Sequence, residues 1–192
     1  MARANLTPAA VIAAAAELAD RDGFDAITLS ALARHFGVKT ASLYSHVRDR
    51  SSLLDGVHEL ALGELADRIA VAIGGRSGRE ALIALAEAHR DYARQSPGRW
   101  AALQRPAAAP TVGSDAAGRL VALTLAMLRG YRLPETELVH ATRLLGSAIN
   151  GFLALEAVGS FGHREPAADV SWRRALDALD IAFRSWPVEG KS

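Results

Sequence analysis

Thr28 to Leu54 reads TLSALARHFGVKTASLYSHVRDRSSLL, and this stretch decides the fold. Thr28 is a capping residue ahead of Leu29, Leu32, Ala33 and Phe36, a spacing that fits one face of a short helix through about His35. Gly37 is the turn. A further helix is predicted from about Lys39 to His46, with Leu43 and Val47 on its inner face and Thr40 and Tyr44 on another. Asp49 then caps a long helix reaching about Ile73, with an inward stripe of Leu54, Val57, Ala61, Leu65, Ile69 and Ile73. Two short helices joined by a tight turn, the second apolar inside and polar outside, form the arrangement in which a helix-turn-helix offers a recognition helix to the DNA major groove.

The polar residues of this stretch fall into two groups. Lys39, Thr40 and Ser42 can donate hydrogen bonds to base edges, and Ala41 is small enough to let the backbone approach a base; together with Ser30 they form the predicted base-reading set. Thr28, Tyr44, His46, Arg48 and Arg50 form the predicted phosphate-binding set. The helix starts at Thr28 and Asp49 add free backbone N–H groups that suit phosphates. Between Arg34 and Arg50 four basic residues stand against one acid, Asp49, although the whole 192-residue chain carries a formal net charge of only +1. Duplex DNA is therefore the expected partner through a local patch rather than through bulk charge. Spacing alone also admits an ordinary helical hairpin with a solvated charged face.

Working outward, helical signals fill the rest of the chain and strand signals are nearly absent. Thr7-Pro8 starts a first helix that Gly23 stops after about Asp22, with Val11, Ile12, Ala15, Ala16, Leu18 and Ala19 as its apolar stripe. After the breaker Gly74 to Gly78, helices are predicted at roughly 79–95, 98–105, 114–130, 135–159 and 168–185, with Pro106 to Gly113 as a loop. The expected fold class is all-α: an N-terminal three-helix helix-turn-helix domain over 1–50 and a C-terminal helical bundle over 51–192, about nine helices in all.

Several classes of function find no support. The chain has no cysteine, so no disulfide framework and no thiolate metal site. The six histidines fall into no H-x-x-x-H or H-E-x-x-H pattern, and no G-x-S-x-G or Walker loop is present, so no catalytic residue, metal or cofactor is expected. Met1 to Leu6 carries one Arg and the alanine-rich stretch after it is interrupted by Glu17, so no targeting segment is expected. The charge-free run Leu144 to Leu155 is too short to span a bilayer; no membrane partner is expected, and the expected location is the cytoplasm.

The first ~55 residues resemble the DNA-binding domain of the tetracycline-repressor (TetR) family of bacterial transcriptional regulators. The resemblance lies in Thr28, Leu32-Ala33, Phe36-Gly37-Val38, Leu43-Tyr44 and Val47-Arg48-Asp49-Arg50 leading into Leu53-Leu54. The string Leu43-Tyr44-Ser45-His46-Val47 is close to the tetracycline repressors themselves. Arg50 stands where the family usually has lysine, which keeps the charge. Further on, Asn150-Gly151-Phe152 with Leu155-Glu156 and Gly159 is similar to the penultimate helix of one subgroup, in which a histidine usually precedes the glycine; Asn150 departs from that pattern.

The resemblance implies a one-component regulator, most commonly a repressor, that binds a palindromic operator as a homodimer and is released by a small molecule. It implies that the last two helices form a four-helix bundle across a two-fold axis, for which Leu145, Ile149, Gly151, Phe152, Trp172, Leu176, Leu179 and Phe183 are the candidates. It implies an effector pocket between the middle helices, with His89, Tyr92, Trp100, Gln104, Met127, Arg143 and Asn150 as candidate lining, and those side chains suit a hydrophobic or aromatic effector. The long fourth helix is the expected mechanical link. A small helical enzyme and a helical interaction module without DNA affinity are the other classes; a titratable cluster in a pocket would favour the first, and the sequence offers none.

Overall fold

A computed structural model describes residues 6–187. Met1 to Asn5, read above for a leader, lie outside the described residues. Among those described there are ten α-helices and no strand. They are α1 (Pro8–Asp22), α2 (Leu29–Phe36), α3 (Thr40–Leu43), α4 (Arg50–Ile73), α5 (Gly78–Gln95), α6 (Pro97–Leu103), α7 (Ala109–Val112), α8 (Asp115–Arg129), α9 (Leu138–Ala157) and α10 (Ala168–Arg184), with single 3-10 turns at Phe24–Ala26 and Glu135–Glu137. The chain divides into two compact units, residues 1–66 with 92–120 and residues 67–91 with 121–192. The helices α4, α5 and α8 each contribute residues to both.

The first unit is organised by α1. Thr7 Oγ1 accepts from the Ala10 N–H at 3.1 Å and Pro8 opens the helix, so one orphan amide is satisfied and one removed. Val11, Ala15, Ala16 and Ala19 face inward at helical spacing and are essentially free of solvent. They meet Ile27, Leu32, Ala33, Leu43, Val47, Leu53 and Val57 in one apolar cluster, and Ala102 of α6 belongs to it too. Burying each Leu, Ile or Val of this set is worth roughly 1.5–3 kcal/mol.

Two local differences from the sequence reading have physical causes. The third helix is a single turn, Thr40–Leu43, rather than Lys39 to His46. Ser45 Oγ donates to the Ser42 carbonyl at 2.8 Å, a local side-chain bond that competes with helix continuation. The Ala/Pro stretch expected as plain loop contains α7, where Pro110 sits in the first turn and Thr111 is buried.

The second unit centres on Arg90 and Trp172. Arg90 is 4% exposed. Its guanidinium pairs with Glu156 of α9 and with Asp169 of α10 at 2.6 Å, and lies 5.2 Å from the Trp172 ring. Trp172 Nε1 donates to Glu87 at 2.8 Å, and Phe152 packs on Trp172 and Phe161. A second cluster stacks Tyr131, Phe183 and Trp186, tied down by the Tyr131 hydroxyl donating to Asp180 and Trp186 Nε1 donating to Glu137. Burial and the Asp180 carboxylate push the Tyr131 phenol well above its ordinary range.

Glu135–Ala157, taken as one helical stretch, is long and apolar enough by length and composition to cross a membrane, which counting the charge-free run alone had missed. Its buried stripe, Leu138, Ala141, Leu145, Ile149 and Leu153, is that of a helix packed on a protein core.

The Arg90 cluster yields a stability prediction. Arg90→Ala removes the buried guanidinium from the Glu156 carboxylate, which is 18% exposed, and should cost on the order of 3 kcal/mol. Asp169 is 67% exposed, so Asp169→Asn should cost less than about 1 kcal/mol. Denaturant unfolding of the two variants checks both; equal losses would mean that the cluster is not a buried pair with an exposed accessory.

Candidate nucleic-acid interface

The turn is made where the sequence places it. Gly37 has φ +65°, in the left-handed region that side chains disfavour. This reversal lets the Val38 N–H reach the Ala33 carbonyl at 2.9 Å and close the end of α2. At the other end of α2, Thr28 Oγ1 accepts from the Ala31 N–H at 3.1 Å. Leu43 is fully buried and Val47 7% exposed, so α3 is seated through these two residues.

That seat turns the polar residues outward. Lys39, Ala41, Ser42 and Ser30 are exposed, Thr40 is half-buried, and Tyr44 is 56% exposed. Of the phosphate candidates, Thr28 and Arg48 are exposed and His46 is half-buried. Arg48 Nε lies 3.3 Å from the Asp49 carboxylate, a solvent-screened pair that leaves the side chain free to move.

Arg50 is exposed and also bonds within the chain. Its Nε donates to the Ile27 carbonyl at 2.7 Å, tying the start of α4 to the residue before the α2 cap. The α4 start is a reciprocal cap: the Ser52 N–H donates to Asp49 Oδ1 at 2.7 Å, and the Asp49 N–H donates to Ser52 Oγ at 3.1 Å. The Ser52 amide bond holds the Asp49 carboxyl below its ordinary range. That carboxylate already satisfies the Ser52 amide at the α4 start. The spacing Asp49-x-x-Ser52 was the missed signal.

The candidate effector residues are divided between the units. Tyr92, Trp100 and Gln104 belong to the first, and His89, Met127, Arg143 and Asn150 to the second. Tyr92, Trp100 and Met127 are buried, and Gln104 and Arg143 are exposed. Tyr92 donates its hydroxyl to Glu64 at 2.9 Å, and burial with that carboxylate pushes its phenol well above its ordinary range. His89 Nδ1 lies 2.8 Å from the Leu85 carbonyl, and burial lowers its basicity. Two open grooves are lined by other residues: one of about 570 Å³ along α1 and α2, and one of about 530 Å³ along the α9–α10 connection.

The dimer candidates divide as well. Leu145, Ile149, Trp172, Leu176, Leu179 and Phe183 are buried within the chain, because the most apolar stripe of each helix packs on its own unit. Gly151 is exposed and a Cβ there would meet nothing within 4 Å. The large apolar residues left outside are Val139, Leu144 and Leu155 on α9, Val158 just past its end, and Val170 and Ile181 on α10.

A helix-turn-helix unit with an exposed polar α3, followed by a helical region, defines a class of DNA-binding regulator. Residues 11–57 match the family described as bacterial regulatory proteins, tetR family, and residues 82–179 match the tetracyclin repressor-like C-terminal domain. The chain is 34% identical over 188 residues to the HTH-type transcriptional regulator YobS of Bacillus subtilis (strain 168), covering 96% of this chain and 92% of that one. It is 32% identical over 161 residues to the HTH-type transcriptional regulator Rv0681 of Mycobacterium tuberculosis, covering 81% and 72%. Its fold is shared with a TetR variant from Acinetobacter baumannii AYE solved in complex with minocycline, at TM-score 0.72 and 24% identity, covering 96% and 100%. The chain belongs to the TetR family of bacterial transcriptional regulators. Members of this family are transcription factors rather than enzymes, and on that membership this chain is no enzyme.

Gly37 gives the direct test of the turn. Gly37→Ala puts a side chain into the left-handed conformation and should cost about 1–2 kcal/mol, with no steric clash to confuse the result because nothing lies within 4 Å. Thermal and denaturant unfolding measure it; an unchanged stability would refute the turn geometry.

Proposed function

We propose that the chain binds a palindromic operator as a homodimer and represses transcription until a small molecule releases it. The carrying observation is the exposure of Lys39, Ala41, Ser42 and Tyr44 on a single turn whose inner face is fixed by Leu43 and Val47. Lys39, Thr40, Ala41, Ser42 and Ser30 read bases, and Thr28, Tyr44, His46 and Arg48 hold phosphates, with Arg50 bracing the turn through Ile27 and free to approach phosphate with its remaining N–H groups. The protein acts in the cytoplasm, where its DNA is.

Reading a palindrome requires two recognition helices about 34 Å apart, so the functional unit has two-fold symmetry. The surface we assign to the partner copy is the outer face of α9 and α10. Leu144, Leu155, Val158 and Ile181 are 40–76% exposed there, an apolar band that a monomer would leave in water. Gly151 stands on the same exposed face of α9, with room for the close approach of another helix.

The effector is assigned by the family and by the amphipathic residues of the middle helices. The Acinetobacter baumannii protein of the same fold was solved in complex with minocycline, which supports a small-molecule effector site in this fold. Release acts through different affinities of the effector for two conformations of the protein.

Three outcomes test this reading. Selection from a random duplex library should enrich a palindrome, with affinity falling by orders of magnitude between about 50 and 200 mM salt; equal affinity for every duplex would favour a helical module without specific binding. Lys39→Ala should change the selected sequence at a cost of roughly 1–3 kcal/mol per half-site, whereas Arg48→Ala should lower the salt slope by about 2, one contact per protomer, and keep the sequence. Gly151→Leu should leave the fold intact and yield a monomer by sedimentation at micromolar concentration; a variant that stays dimeric places the interface elsewhere.

A further inference from the structure

The helix α6 is seven residues long, too short to be stable by itself, and Ser96 at its start makes no capping bond. The cap comes from another helix. Asp20, in the last turn of α1, accepts the Arg99 N–H at 2.9 Å through Oδ1, and Arg99 is the third residue of α6, where a capping oxygen acts. Asp20 Oδ2 lies 3.0 Å from Arg99 Nη1, and both side chains are under 20% exposed. Glu64 of α4 stands 3.5 Å from Arg99 Nε, a contact without hydrogen-bond geometry, and also accepts from Tyr92.

Backbone packing closes the same crossing. A Cβ on Gly98 would stand 2.1–2.4 Å from the Ala19 and Asp20 backbone, so only glycine admits this approach. Ala102 enters the apolar cluster that seats Leu43, and the Arg105 guanidinium lies 4.9 Å over the Phe24 ring. A segment that starts sixty residues beyond Gly37 in sequence is thus built into the unit that carries the turn.

We propose that Asp20 and Arg99 are positioning residues for operator binding: their clasp holds α6 on α1 and so keeps α1 where it seats the recognition turn. The inference rests on the operator-binding reading above. Neither residue belongs to the DNA-facing set. Because α1, α2 and α3 share one apolar cluster, loosening α6 shifts the floor under Leu43 and Val47. Linkage makes the effect reciprocal: if an undocked α6 weakens operator binding, bound operator must suppress undocking.

The test uses the full chain and the tightest duplex it selects from a random library. Asp20→Ala removes a negative charge, which by itself would strengthen attraction to DNA. The clasp predicts the opposite, at least a ten-fold loss of affinity with an unchanged salt slope, and Arg99→Gln should follow it. Binding within two-fold of wild type, or tighter, for a folded Asp20→Ala chain overturns the proposal. A readout on the wild type does not depend on either variant folding. Bound duplex should slow hydrogen exchange at the Arg99 amide at least ten-fold more than at the Ile149 amide; equal slowing at the two sites marks the clasp as merely structural and overturns it. A wild-type chain that selects no duplex overturns the operator reading and the clasp with it.

Discussion

The recognition turn depends on two buried side chains. Leu43 and Val47 carry α3 into a cluster made by Val11, Ala15, Ala16, Ala19, Leu32 and Leu53, and a helix of four residues has little else to hold it. The alanines of α1 matter here. They share one apolar cluster with α2 and α3 and let α6 approach α1 closely on Gly98. Gly37 and Gly98 act in the same direction at opposite sides of α1's neighbours: one lets the chain reverse with φ +65°, and the other lets a distant backbone touch α1. Small residues thus set the positions, and exposed polar ones are left free for chemistry.

The sequence made the class of fold and the turn legible because both are local. Thr7-Pro8, Gly23, Thr28 and Gly37 punctuate the first helices by rules that act over a few residues, and the structure uses each as a cap or a reversal. The length of α3 was not legible, since Ser45 diverts to a backbone carbonyl that periodicity ignores. The outward face of α9 was harder still. A helix apolar nearly all round does not say which stripe its own chain will take, and here Leu145, Ile149 and Leu153 go inward while Leu144 and Leu155 stay out. The role of Arg50 needed coordinates: a basic residue beside a recognition turn suits phosphate, and only the Ile27 carbonyl at 2.7 Å shows its other engagement.

Charge plays a different part in the two units from that of the apolar clusters. Each unit holds an arginine facing more than one carboxylate: Arg99 with Asp20 and Glu64, and Arg90 with Glu156 and Asp169. Such groups return little net stability, because removing charge from water costs about as much as the pairing recovers. They exclude alternatives instead. A helix slid by one turn would leave a guanidinium or a carboxylate unpaired, at a cost of several kcal/mol, whereas an apolar contact slides with small loss. Arg90 and Tyr92, two residues apart on α5, anchor such networks in different units, Tyr92 through Glu64. A regulator needs units that are each well defined and elements common to both. Polar networks fix the register of the helices within each unit, and α4, α5 and α8 each contribute residues to both.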